Sequence, residues 1–219
     1  MQRRQLIKGV AAFAIAERLG ILHSAWAAGN KLPPPGMHKV SGDVRINGQR
    51  VREGSPVQPG DTITTGANSQ AIYIIGTDAY LQRDQSTVSI AGQTVRAGLR
   101  VVSGKLMAVF GKGDKQIETP TATIGIRGTG CYIEAEAEAE AQKVYFCLCY
   151  GKAEIVSQQQ PELRETIETR YHDMPVYLHA DGRQMMVPAS VINHSDSELI
   201  LLESLLGRVP PFYGQSGKY

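Results

Sequence analysis

Between residues 40 and 113 the apolar positions fall in short runs, with glycine, proline, asparagine or aspartate breaking them about every eight to twelve residues. Two of these runs, 44–46 and 49–51, flank Asn47-Gly48, a pair that tolerates positive φ at both positions, and so predict a two-residue hairpin. Further turns are expected at Pro59-Gly60-Asp61, 66–68, 76–78, Gly92, Gly98, Gly104 and 111–114, enclosing β-type runs such as 71–75 and 105–110. No stretch there has room for a helical period. The pattern predicts a mainly β fold of stacked short strands, either a solenoid-like sheet or a sandwich, which periodicity alone does not separate.

The texture changes after Gln158. Residues 159–170 are polar and charged and read as a linker or an exposed helix, and 175–187 read as a hairpin around Asp181-Gly182. A helix is predicted over 195–207: Ser195 and Glu198 form a capping box, Leu199, Leu202, Leu205 and Leu206 make an apolar stripe, and Gly207, Pro210 and Pro211 end it. A leucine stripe at this spacing is a packing surface. The expected organisation is a leader over 1–27, a proline-rich linker over 28–36, a β domain over 37–158, and a small C-terminal extension over 159–219.

The leader carries Arg3 and Arg4 before an apolar stretch, then the small-residue site Ala25-Trp26-Ala27. This order is that of a twin-arginine export signal, with cleavage before Ala28, and implies a periplasmic mature protein. Glu17 and Arg18 interrupt the apolar stretch, so it is too short and too polar to span a bilayer, and no later run reaches the roughly 18 apolar residues a span needs. The leader holds four basic residues against one acidic, so the net +2 of the whole chain becomes −1 once it is set aside. No concentrated run of Lys and Arg is left to hold a phosphate backbone, which argues against nucleic-acid binding.

Ile46-Asn47-Gly48, Gly54, Pro59-Gly60-Asp61 and Thr64-Thr65-Gly66, followed by Thr119-Pro120, Ile124 and Ile126-Arg127-Gly128-Thr129, resemble the FecR-type periplasmic domain over about 40–156. The resemblance implies a stacked β, solenoid-like fold and, in the family's namesakes, the inward passage of a cell-surface signal through protein contacts. Those signalling members place a cytoplasmic anti-sigma segment and a transmembrane helix before the domain; here a twin-arginine leader stands in their place. What carries over is a non-enzymatic module that binds a periplasmic or outer-membrane protein partner or another envelope component. Arg127-Gly128-Thr129 carries over as a corner, in which Gly128 turns the backbone, Arg127 bonds nearby carbonyls and Thr129 caps the turn.

Three cysteines lie outside that pattern. Cys147 and Cys149 are two residues apart, so on a strand both thiols face one way, about 7 Å apart. If 131–133 pairs with 145–149 across the Glu- and Ala-rich arm 134–142, Cys131 falls opposite Cys147 or Cys149 and a three-thiol cluster results. A disulfide from Cys131 to one of the pair, ligation of a metal or an iron–sulfur group, and three inert thiols all stay open. A fourth ligand would come from His172, His179 or His194. The arm itself reads as a solvated hairpin without a calcium-loop pattern. No Gly-x-Ser-x-Gly, His-Glu-x-x-His or Walker motif is present, so the chain reads as a non-enzyme.

Overall fold

Strands buried on both faces are apolar without interruption, whereas those with one wet face alternate. The computed structural model describes residues 32–92, 98–135, 143–180 and 184–214, and both kinds of strand occur in it. The chain divides into Met1–Pro33 and a unit Pro34–Tyr219 that holds every described element.

The strands are β1 (Gly36–Ser41), β2 (Val44–Ile46), β3 (Gln49–Arg50), β4 (Thr62–Thr65), β5 (Gln70–Ile75), β6 (Asp78–Gln82) and β7 (Ser86–Ile90), then β8 (Gly98–Val109), β9 (Asp114–Glu118), β10 (Ala122–Ala135), β11 (Lys143–Ser157), β12 (Arg164–Thr169), β13 (Val176–His179) and β14 (Met186–Pro188). One helix, α1 (Asp196–Leu205), follows. The fold is mainly β, as the periodicity predicts, and among the described residues no helix is long and apolar enough to cross a membrane.

Three strands are much longer than the turn signals suggest. β8, β10 and β11 run 12, 14 and 15 residues because the glycines at Gly104 and Gly151, read as turns or left unread in the sequence, bend a strand without ending it. Both adopt positive φ, 92° and 99°, which a residue with a Cβ resists. Each long strand therefore changes partners along its length. β8 pairs with β7 and, in parallel, with β9 in its first half, then with β6 and β10 in its second. β11 pairs with β13 at 143–146 and with β12 at 151–156.

The result is one sheet folded into two wings around a shared core. Ile63, Val88, Ile117, Ile124 and Ile155 line it from one wing, and Tyr73, Leu106, Ile133, Phe146 and Leu148 from the other. Alternation then puts Leu81, Met107, Tyr132 and Cys147 on the opposite face of the second wing, where they are also buried. α1 packs on that face against β6 and β8.

The Asn47-Gly48 hairpin forms with both central residues at positive φ, and β13 pairs with β14 around the Asp181-Gly182 turn, whose own residues lie outside those described. The segment 159–170 differs from expectation. It contains β12, an edge strand anchored by Ile167 and Thr169 and paired on β11, because its few apolar side chains alternate with exposed charges and give no helical stripe. α1 starts one residue after Ser195, and Glu198 accepts from the Ser195 N–H at 2.9 Å and hydroxyl at 3.1 Å. Leu199, Leu202 and Leu205 are buried.

Candidate metal centre

The expected cysteine register is off by one residue. Cys131 pairs with Leu148 and Tyr132 with Cys147, so Cys131 points into the shared core while Cys147 faces α1. That register runs unbroken from Ala135 opposite Val144 to Cys131 opposite Leu148; beyond it a bulge puts Gly130 opposite Tyr150 and leaves Cys149 without a partner on β10. A bulge re-aims the side chain it carries, a signal that alternation does not contain. All three cysteines are free and fully buried.

Two loops bring imidazoles to the remaining pair. His172 follows β12 and donates its backbone N–H to the Cys149 carbonyl at 3.0 Å, and it holds φ at 49°, a left-handed conformation that costs about 1 kcal/mol for such a residue. Its Nδ1 lies 3.4 Å from Cys147 Sγ and 3.0 Å from His194 Nε2. His194 immediately precedes the N-cap of α1, stacks on the Tyr132 ring at 4.7 Å, and donates from Nδ1 to the Ile192 carbonyl at 2.6 Å. One donor atom from each of Cys147, Cys149, His172 and His194 lies within 4.8 Å of the others. Of the sequence candidates, Cys131 and His179 stay outside: the first is in the core, and the second is on β13 opposite Lys143.

His194 donates its Nδ1–H to the Ile192 carbonyl, which leaves a lone pair on its Nε2. His172 Nδ1 is within hydrogen-bonding distance of both that nitrogen, at 3.0 Å, and Cys147 Sγ, at 3.4 Å, while His172 Nε2 lies 3.4 Å from Asp196 Oδ1. A cation would take the place of a proton shared among these three atoms. Hydrogen bonding from the Cys149 thiol is the largest influence on Cys147 and, with His172 and His194, lowers its pKa to about 4 although burial opposes this. Burial, then the adjoining Cys147 sulfur, pushes Cys149 well up. Burial likewise pushes up Cys131, an inert core thiol.

The resemblance motif lies elsewhere. Gly128, at φ 54°, sits where β10 passes from β9 to β8, so the triplet is a corner. Arg127 is 74% exposed and bonds the Asp114 carboxylate, Nη2 to Oδ2 at 3.2 Å, where carbonyls were expected. The Thr129 hydroxyl has no hydrogen-bond partner among the described residues, so it caps nothing, while its methyl packs at Gly151. Thr119 does cap: its hydroxyl donates to the Ala122 carbonyl at 2.8 Å and accepts the Ala122 N–H at 3.0 Å, closing the turn that holds Pro120. A polar cleft of about 520 Å³ opens on the outer face of β9 to β12, lined by Gln116, Gly125, Arg127, Lys152 and Glu154, with no cysteine or histidine. Arg3 and Arg4 lie outside the described residues.

No protein-family model and no curated protein matches the chain. Two crystal structures of a "putative anti-sigma factor" from Parabacteroides distasonis are similar to it, at 10% and 9% identity and a TM-score of 0.47 each. Each match covers 58% of this chain and 58% of that one. The chain thus spans little more than half the length of those structures, and the likeness says nothing about activity.

Proposed function

We propose that the protein is a metal-binding β module of the cell envelope, in which Cys147, Cys149, His172 and His194 hold one divalent ion of the zinc class and pin the C-terminal segment to the sheet. The observation that carries this is the convergence of two thiol sulfurs and two imidazole nitrogens, one from each residue, within 4.8 Å of one another. A tetrahedral ion with about 2.3 Å bonds to sulfur and 2.0–2.1 Å bonds to nitrogen places its donors roughly 3.3–3.8 Å apart; the two imidazole nitrogens are 3.0 Å apart, His172 Nδ1 and Cys147 Sγ 3.4 Å, and all four donors lie within 4.8 Å. Two thiolates and two neutral imidazoles cancel the ion's charge, which a site with no exposed sulfur requires. Donors this close enclose one ion and leave no space for the bridging sulfides of an iron–sulfur cluster.

With all four positions taken by protein, such an ion is structural. The module then acts by binding, and the polar face of β9 to β12 offers the exposed charged groups for a protein partner of the periplasm or outer membrane. One observation favours a second reading: Cys147, His172 and Asp196 stand in the order of a nucleophile, its base and an orienting carboxylate. The burial of Cys147 speaks against it, since no substrate carbonyl reaches a sulfur with no exposed surface.

Elemental analysis of the full chain, with cobalt substitution, tests the reading. One equivalent of zinc, and a tetrahedral cobalt spectrum with sulfur charge-transfer bands that disappears in Cys147→Ser/Cys149→Ser, is the expected result. Failure to bind zinc or cobalt above about a tenth of an equivalent overturns it. Rapid stoichiometric alkylation of Cys147 in the native protein would favour the nucleophile instead.

A further inference from the structure

Asp196 stands in the first turn of α1, and its two oxygens face two different partners. Oδ1 lies 3.4 Å from His172 Nε2, and Oδ2 accepts the Tyr171 hydroxyl at 2.7 Å. We infer that Asp196 is the positioning residue through which metal binding and docking of α1 become a single event, an inference that rests on the reading of the four donors as ligands.

A ligating histidine needs its outer nitrogen held by an acceptor, which fixes the tautomer, orients the ring and makes the ligating nitrogen more basic. The His194 acceptor is the Ile192 carbonyl, two residues away in the same loop and present however α1 is placed. The acceptor facing His172 is different. It is carried by the helix, so it reaches the ring only when α1 lies in its place on the sheet.

The helix end is also fixed independently of the donors. Arg83 on the loop after β6 donates through Nη2 to Glu198 Oε1 at 2.5 Å and to the Asn193 carbonyl at 2.9 Å. A carboxylate in the first turn is further favoured by the N-terminal end of the helix dipole. His194 and Asp196 thus flank the N-cap Ser195, one as ligand and the other facing a second ligand. Whatever holds α1 sharpens the metal site, and by reciprocity a bound ion holds α1 with the same coupling factor.

The test is zinc affinity by chelator competition, together with amide exchange over Asp196–Leu205, in the full chain, in Asp196→Asn and in Leu202→Ala. Asn keeps the size and removes the charge; Leu202→Ala loosens the buried face of α1 without touching a donor. Asp196→Asn is expected to weaken zinc about 10- to 100-fold, to shift the cobalt bands, and to erase most of the protection that zinc gives α1. Leu202→Ala is expected to weaken zinc in proportion to the fraction of α1 that exchange shows to be undocked in the metal-free chain. A residue that only started the helix would lower protection equally with and without zinc and leave affinity unchanged. Unchanged affinity in Asp196→Asn, or unchanged affinity in Leu202→Ala when exchange shows α1 mostly undocked without zinc, overturns the coupling while leaving the four ligands standing. Absence of zinc binding in the unaltered chain overturns the ligand reading and the coupling together.

Discussion

Cys131 and Cys147 occupy adjacent strands and differ by which side of the sheet they face, and that difference decides what each does. Cys131 lies among Phe110, Ile133 and Leu148, where a thiol behaves as a small hydrophobe. Cys131→Ser puts a hydroxyl among apolar side chains and is expected to cost about 1–3 kcal/mol in denaturant unfolding while the zinc content stays at one equivalent. Cys147→Ser is expected to do the reverse in kind, abolishing tetrahedral cobalt bands. If Cys131→Ser lost the metal, the face assignment would be wrong. The sequence shows three thiols and five histidines but not which of them meet, because the register of β10 on β11 and the placing of the two histidine-bearing loops are fixed by tertiary pairing. A second residue-level expectation concerns Gly151, at φ 99°, where an added Cβ would lie 2.6 Å from Thr129 Cγ2. Gly151→Ala is expected to lose roughly 2–3 kcal/mol of stability by combining backbone strain with that overlap, readable as a lower urea midpoint at unchanged slope.

At the level of elements, what could be read in the sequence was local. The Asn47-Gly48 hairpin and the start of α1 are dictated by residues two to four positions apart, and both form where the chemistry of those residues puts them. β12 is not legible in the sequence because an edge strand needs little apolar surface, and its pairing with β11 is a tertiary fact. The far end of α1 shows the same division. Glu203 is 4% exposed, accepts a close hydrogen bond from Tyr150 and pairs with Arg208, whose Nη1 also donates to the Thr77 carbonyl at 3.1 Å. None of this is visible in the leucine stripe that announces the helix. Removing one side of such a pair leaves a buried charge, so Arg208→Met is expected to destabilise the chain by about 3 kcal/mol. Arg208→Met combined with Glu203→Gln is expected to recover most of that loss. Thermal melts of the single and double variants measure both, and equal melting points for the two would show that Glu203 does not depend on Arg208.

Over the whole molecule, the four proposed ligands come from residues 147, 149, 172 and 194, on β11 and on two separate loops, so the site exists only when the wings and α1 have assembled. His172 has no exposed side-chain surface and neither sulfur is exposed, which leaves the part-buried His194 as the one accessible side of the site and favours entry of an ion during folding. The Arg3-Arg4 leader proposed for this chain belongs to a route that carries proteins already folded. If that leader acts as proposed, folding and metal entry would both precede export, in a reducing compartment that keeps the thiols available. A chain delivered unfolded into an oxidising compartment would instead present three thiols to disulfide donors; two of them joining would pass two electrons and two protons to such a donor and remove ligands. Replacing residues 1–27 with a leader of the unfolded-export route is therefore expected to give a product with less than about a tenth of an equivalent of metal and only one free thiol. The same chain exported behind its own leader, or retained inside by Arg3→Lys/Arg4→Lys, is expected to carry one equivalent and three free thiols. Equal metal and thiol content by both routes would show that the ion is acquired after export and that the order argued from burial is wrong.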